Sequence, residues 1–151
     1  MTRIFYTCFE HQLPAHAFDR YLRSLPLNLQ NDVMRYREWR DKHLVLFGKM
    51  LLREGLKYFR ADNCTLDTIQ YSAFKRPFFN NGIDFNISHT GKCVVCAISD
   101  TVKVGIDIEE ITPIDILDFQ GQWTGAEWSH ITRSDSSHLE FFRCWTKKEA
   151  V

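Results

Sequence analysis

Asp107 and Glu109 are the residues from which the chemistry of this chain is first legible. They lie in Lys103-Val-Gly-Ile-Asp-Ile-Glu109, which alternates with period two as a half-buried strand does. Val104, Ile106 and Ile108 fall on one face, and Gly105, Asp107 and Glu109 on the other. Carboxylates two residues apart on a strand sit about 6.5–7 Å apart at the backbone, so their side chains can converge on one hard cation. Mg²⁺ is such a cation, taking oxygen ligands and keeping positions open for phosphate. Gly105 leaves room for another group to approach the backbone. The plain alternative is an amphipathic strand carrying two solvated acids.

Glu149 is a third acid of interest. In the last helix Leu139, Phe142 and Trp145 form an apolar stripe, and the next position on it is Glu149. An inward acid on such a stripe is costly unless it is paired or binds a cation. Lys148 beside it can supply positive charge to a phosphate or to the acid. A helix-end acid reaching water is the alternative.

Other constellations are weighed the same way. Ser88-His89-Thr90-Gly91 sits where a loop is expected, and its hydroxyls, imidazole and backbone N–H groups suit a phosphate. A hydrolase would need a base aimed at the serine from elsewhere in the fold. Cys93-Val-Val-Cys96 has redox or zinc spacing, but residues three apart on a strand point to opposite faces, so two small strand residues are the better reading. Arg35, Arg37, Arg40, Lys42 and His43 form the densest basic patch, which is either a solvated helix face or an anion site.

The elements that must position these residues follow from pattern. Arg3–Glu10 reads as a strand and Pro14–Leu25 as a short helix. Leu29–Phe59 is helical, divided near Arg40–Asp41. Ala61–Thr65 is turn-like, Thr68–Phe74 alternates as a strand, and Asp84–Ser88 and Lys92–Ser99 read as two strands. Thr124–Glu127 and Ser137–Glu140 both have capping-box spacing, the second opening a helix from Leu139 to Val151. Nineteen basic and nineteen acidic residues cancel, so composition gives no case for nucleic-acid or membrane binding. No apolar run approaches the ~20 residues of a membrane span, and no signal-peptide layout opens the chain. Five cysteines without dense spacing predict reduced thiols and a cytoplasmic location.

Taken together, Phe85-Asn-Ile-Ser-His-Thr-Gly91, Val104-Gly-Ile-Asp-Ile-Glu109 and Trp145-Thr-Lys-Lys-Glu-Ala150 resemble the motifs of the 4′-phosphopantetheinyl transferases, in their order and near their separations. The resemblance is to the larger, surfactin-synthetase-activating type and runs from the Arg35–Leu52 helices to the final residue. Each motif alone is weak; the three together are specific. The resemblance implies transfer of phosphopantetheine from coenzyme A to a serine of an acyl or peptidyl carrier protein. It makes Asp107, Glu109 and Glu149 the Mg²⁺ ligands, with Glu149 helping to deprotonate the serine and Lys148 near the pyrophosphate. Ser88, His89 and Arg76 become coenzyme A contacts. Lysines that hold the coenzyme's 3′-phosphate in some members align with Leu29 and Asp32, so Arg35, Arg40 or His43 are expected in their place.

The implied fold class is α+β, two similar halves about a pseudo-twofold with coenzyme A between them. Residues 1–100 would form the first half and 101–151 the beginning of the second. Two further readings stay open: a coenzyme A-binding module without turnover, and an unrelated Mg²⁺-dependent phosphohydrolase. No Gly, Asn or Pro closes the last helix after Trp145. The expectation is a fragment of a longer protein, or one completed by another chain. Its open strand edges would favour self-association, and alone it would have little transferase activity.

Overall fold

The computed structural model describes residues 1–61 and 63–150 and shows a mixed α+β protein. A three-stranded antiparallel sheet forms its centre, in the order β1 (Thr2–Cys8), β5 (Cys93–Ser99), β4 (Asp84–Thr90). β4 and β5 are a hairpin turning at Gly91, whose φ of 51° is left-handed. One face of the sheet, carrying Phe85, Cys96 and Ile98, is buried against the helix α3 (Trp39–Tyr58). Gly55 permits the contact, since a Cβ there would stand 2.3 Å from Ile98 Cδ1. The helices α1 (Ala15–Arg23) and α2 (Leu27–Met34) complete this core through Leu25, Leu29 and Val33.

The helical break lies at residues 35–38 rather than at Arg40–Asp41. No Gly or Pro marks it; the break lets α2 pack against α3, so that Leu29, Val33 and Leu46 join one core. The expected strand Thr68–Phe74 is replaced by a 3₁₀ turn, Leu66–Thr68, and a minimal hairpin of β2 (Gln70–Tyr71) and β3 (Pro77–Phe78). The expected turn at Ala61–Thr65 lies in part outside the described residues.

A second, smaller core is aromatic. Trp123, Ile131, Phe141 and Phe142 are buried, with Phe119, Trp128 and Trp145 packed on them. It is built by a 3₁₀ segment (Ile116–Gln122), α4 (Gly125–Thr132) and α5 (Ser137–Glu149). The Thr124–Glu127 capping box forms as spaced: Glu127 N donates to Thr124 Oγ1 and Thr124 N to Glu127 Oε2. The Ser137–Glu140 box does not form. The helix is capped at Ser136 without a side-chain bond, and Glu140 turns to His130 and Arg143 instead. The expected last helical residue, Val151, lies outside the described residues.

Reduced cysteines were expected, and one pair departs from that. Cys8 and Cys93 face each other directly across β1 and β5 and are joined in a disulfide, a pairing 85 residues apart that spacing alone does not reveal. Cys96 points to the opposite face and is buried, so Cys93 and Cys96 share no site. Among the described residues no helix is long and apolar enough to cross a membrane.

Candidate functional site

Asp84, Asn86, Ser88 and Thr90 alternate along β4 with Phe85, Ile87 and His89, so the short polar side chains share one face. That face holds residues 103–110 by an unusual ladder. The backbone N–H of Val104 donates to Asp84 Oδ2 (2.7 Å), Ile106 to Asn86 Oδ1 (3.0 Å), Ile108 to Ser88 Oγ (3.4 Å) and Glu110 to Thr90 Oγ1 (3.3 Å). The segment expected as a strand is therefore extended but lies over β4, bonded to its side chains rather than to its backbone. Arg76 clamps the first rung, with Nη2 donating to Asp84 Oδ2 (2.7 Å) and to the Val104 carbonyl (3.1 Å).

The ladder delivers Asp107. Ser88 Oγ donates to Asp107 Oδ1 at 2.6 Å, and Asp107 Oδ2 is buried without a hydrogen-bond partner. A buried carboxylate oxygen is costly to leave unpaired, so this atom fits a cation ligand. Glu109 is exposed, its Oε2 accepting from Thr90 Oγ1 at 3.3 Å. The end of α5 comes to the same place: a Cβ on Gly105 would stand 1.4 Å from the Ala150 carbonyl oxygen. Gly105 shares its face with Asp107 and Glu109, so the α5 terminus arrives on the carboxylate side. Glu149 is exposed there rather than turned into the aromatic core, because the helix ends as the stripe runs out. The oxygens of Asp107, Glu109 and Glu149 are not gathered into one cluster; among the described residues only His130, Glu140 and Cys144 form a ligand group within 4.8 Å.

On the other side of β4 lies a cleft of about 660 Å³, lined by Arg35, Lys49, Lys75 and His89 with Tyr71 and one carboxylate, Asp32. Four nitrogenous side chains around one hollow suit a polyanion. Burial pulls the Lys49 ammonium's pKa down, and the Asp32 carboxylate opposes that. Lys75 is held at φ 61° in the β2–β3 turn, a left-handed conformation rare outside glycine, which is frequently found where a side chain is positioned for binding. Neither lysine stood out in the sequence. Lys49 is interrupted by apolar neighbours on α3, and Lys75 read only as a strand breaker.

Several expected contacts are placed differently. Ser88 and His89 lie in β4, not on a loop, and adjacent strand residues face opposite ways. Ser88 is therefore committed to Asp107 while His89 lines the cationic cleft. His43 is corrected outright: it is 1% exposed among Phe9, Phe18, Trp39 and Phe47. Its Nε2 accepts from Leu13 N (3.0 Å) and its Nδ1–H donates to the Trp39 carbonyl (2.7 Å), so it has no atom left for an anion. Arg40 stacks on Trp39, 4.6 Å from the ring centroid, and does not line the cleft, whereas Arg35 does. Leu29 is core. Lys148 Nζ donates to Glu127 Oε2 and the Gln122 carbonyl, both at 3.1 Å, over the Trp123 ring, which ties α5 to the cap of α4. Arg76, besides its clamp, lines a separate hollow of about 630 Å³ with Phe78, Ile83 and Lys103.

The polar face of β4 thus carries an orphaned carboxylate above it, and a cleft rich in basic side chains lies on the other face. Residues 12–101 match the family described as 4′-phosphopantetheinyl transferase, N-terminal, and residues 103–151 match the 4′-phosphopantetheinyl transferase superfamily. The chain belongs to the 4′-phosphopantetheinyl transferase superfamily. It is 30% identical to the 4′-phosphopantetheinyl transferase gsp of Aneurinibacillus migulanus over 99% of this chain and 64% of the relative. It is 25% identical to the 4′-phosphopantetheinyl transferase Sfp of Bacillus subtilis (strain 168) over 98% of this chain and 67% of that protein. A shorter stretch, 60% of this chain, is 33% identical to the L-aminoadipate-semialdehyde dehydrogenase-phosphopantetheinyl transferase of Schizosaccharomyces pombe, of which it covers 44%. The chain spans about two thirds of the length of the first two of these relatives.

Proposed function

We propose that the protein transfers 4′-phosphopantetheine from coenzyme A to a serine of an apo acyl or peptidyl carrier protein, with Mg²⁺. The observation that carries this is Asp107, one oxygen fixed by Ser88 and the other buried and unpartnered beside the end of α5. Asp107 would hold the ion, with Glu109 and Glu149 joining by rotation of their exposed side chains. Bound there, Mg²⁺ supplies Lewis acidity to pyrophosphate oxygens and neutralises charge on the leaving group.

The residues of the chain do the rest. Arg35, Lys49, Lys75 and His89 hold the phosphate-bearing nucleotide end of coenzyme A in the cationic cleft, taking over the charge that Leu29 and Asp32 do not provide. Glu149 takes the proton of the carrier serine, directly or through a water. The serine oxygen then forms its bond to the β-phosphorus as the bond to the bridging oxygen breaks, and 3′,5′-adenosine bisphosphate leaves. Positioning dominates such a phosphoryl-type transfer.

Incubating the full-length protein with coenzyme A, Mg²⁺ and an apo carrier tests this. One added phosphopantetheine arm on the carrier supports the transferase. Coenzyme A binding without carrier modification would support a binding module instead, and phosphate release without a carrier a phosphohydrolase.

A further inference from the structure

We propose that His130, Glu140 and Cys144 form a second metal site, for Zn²⁺, which ties α4 to α5. The site lies apart from Asp107, and its case is independent of the transferase reading. Glu140 and Cys144 are four residues apart on α5 and so share one face of the helix. His130, in the last turn of α4, reaches across to them. His130 Nε2 stands 3.0 Å from Glu140 Oε1, Cys144 Sγ stands 3.7 Å from the same oxygen, and the three donor atoms lie within 4.8 Å of one another. Ligands at zinc bond lengths around a tetrahedral centre sit roughly 3.3–3.8 Å apart. Small rotations of three side chains suffice to meet that geometry.

The donor set selects the ion. One nitrogen, one sulfur and one oxygen suit a borderline-soft cation, whereas Mg²⁺ prefers oxygen alone. Arg143 Nη1 lies 3.5 Å from Glu140 Oε2, which leaves Oε1 for His130 and Cys144. On binding, neutral His130 contributes Nε2, the Cys144 thiol loses its proton to solvent, and water takes the fourth position. Lys148–Glu127 already links the same two helices. The metal would add a second tie and fix the course of α5, whose end carries Glu149.

The test uses Co²⁺ as a spectroscopic stand-in for Zn²⁺ on metal-stripped protein without reductant, so that Cys8–Cys93 stays paired. Cys64 and Cys96 are buried, which keeps both out of the signal. One equivalent of Co²⁺ is expected to give a thiolate-to-metal charge-transfer band that Zn²⁺ abolishes and excess Mg²⁺ does not. Cys144→Ser should remove the band. His130→Ala, at an exposed position that leaves the fold intact, should weaken Zn²⁺ binding by about tenfold or more. Asp107→Ala should leave the band in place. Absence of the band, its survival in Cys144→Ser, its loss in Asp107→Ala, or unchanged Zn²⁺ affinity in His130→Ala would each overturn the proposal.

Discussion

Ser88 donates a 2.6 Å hydrogen bond to one oxygen of Asp107 and leaves the other oxygen buried with nothing to bind. The same hydroxyl accepts from Ile108 N, so one side chain fixes both the position of the acidic segment and the orientation of its acid. A carboxylate held by one oxygen and free at the other is pre-organised as a ligand, since its rotation is already lost before the ion arrives.

Ser88→Ala removes that orientation while keeping every candidate ligand. The Mg²⁺ concentration needed for half-maximal transfer should rise about 10–100-fold, as for other supporting partners of metal ligands. An unchanged Mg²⁺ dependence with an intact fold would show that Ser88 does not position the acid.

His89 lines the cationic cleft on the opposite face of β4. His89→Ala should raise the KM for coenzyme A by about tenfold, the worth of one charge-assisted hydrogen bond, with kcat little changed. Equal loss in kcat and kcat/KM at constant KM would assign it an acid or base role instead.

Gly105→Ala tests the meeting of the acidic segment with α5. The new Cβ would lie 1.4 Å from the Ala150 carbonyl oxygen, which is fixed backbone, so the end of α5 must shift. A shift of about 1 Å near the reacting groups costs on the order of 100-fold in rate, and that loss should appear in kcat. The first core should survive, seen as unchanged far-ultraviolet circular dichroism. Full activity in this variant would mean that the end of α5 plays no part.

These predictions rest partly on what the sequence made legible. The β4–β5 hairpin and the helices were readable because Val94 to Ile98 and the α3 stripe carry strong periodicity. Gly105, Asp107 and Glu109 were readable because alternation put them on one face. The ladder was not, although Asp84, Asn86, Ser88 and Thr90 alternate plainly. Alternation says which side chains share a face, not that their oxygens replace a neighbouring strand's carbonyls. His43 was misleading for a related reason. It sits among Arg40 and Lys42 in sequence, yet the helix turns it inward to aromatic neighbours, where its two nitrogens close two backbone groups.

His43 also sets a pH dependence. Burial lowers its pKa below that of an ordinary histidine, about 6.5, whereas the unfolded chain binds the proton near that value. The unfolded state therefore holds more protons in this window. Stability is full above about pH 6.5 and falls as pH drops toward the folded pKa, by at most about 1.4 kcal/mol per pH unit. Urea midpoints should be lower at about pH 5.5 than at about pH 7.5, and His43→Phe should shrink the difference. An undiminished difference in that variant would place the titration elsewhere.

The central claim is that Asp107 serves a carrier-directed transfer. Its most direct test is the intact mass of an apo carrier after incubation of the full-length protein with coenzyme A and Mg²⁺. The wild type should add one phosphopantetheine arm to the carrier, and a carrier lacking its acceptor serine should gain nothing. Asp107→Ala should add none above the enzyme-free background while keeping the fold. Transfer by Asp107→Ala at the wild-type rate would contradict the account, as would a wild-type protein that binds coenzyme A and leaves the carrier's mass unchanged.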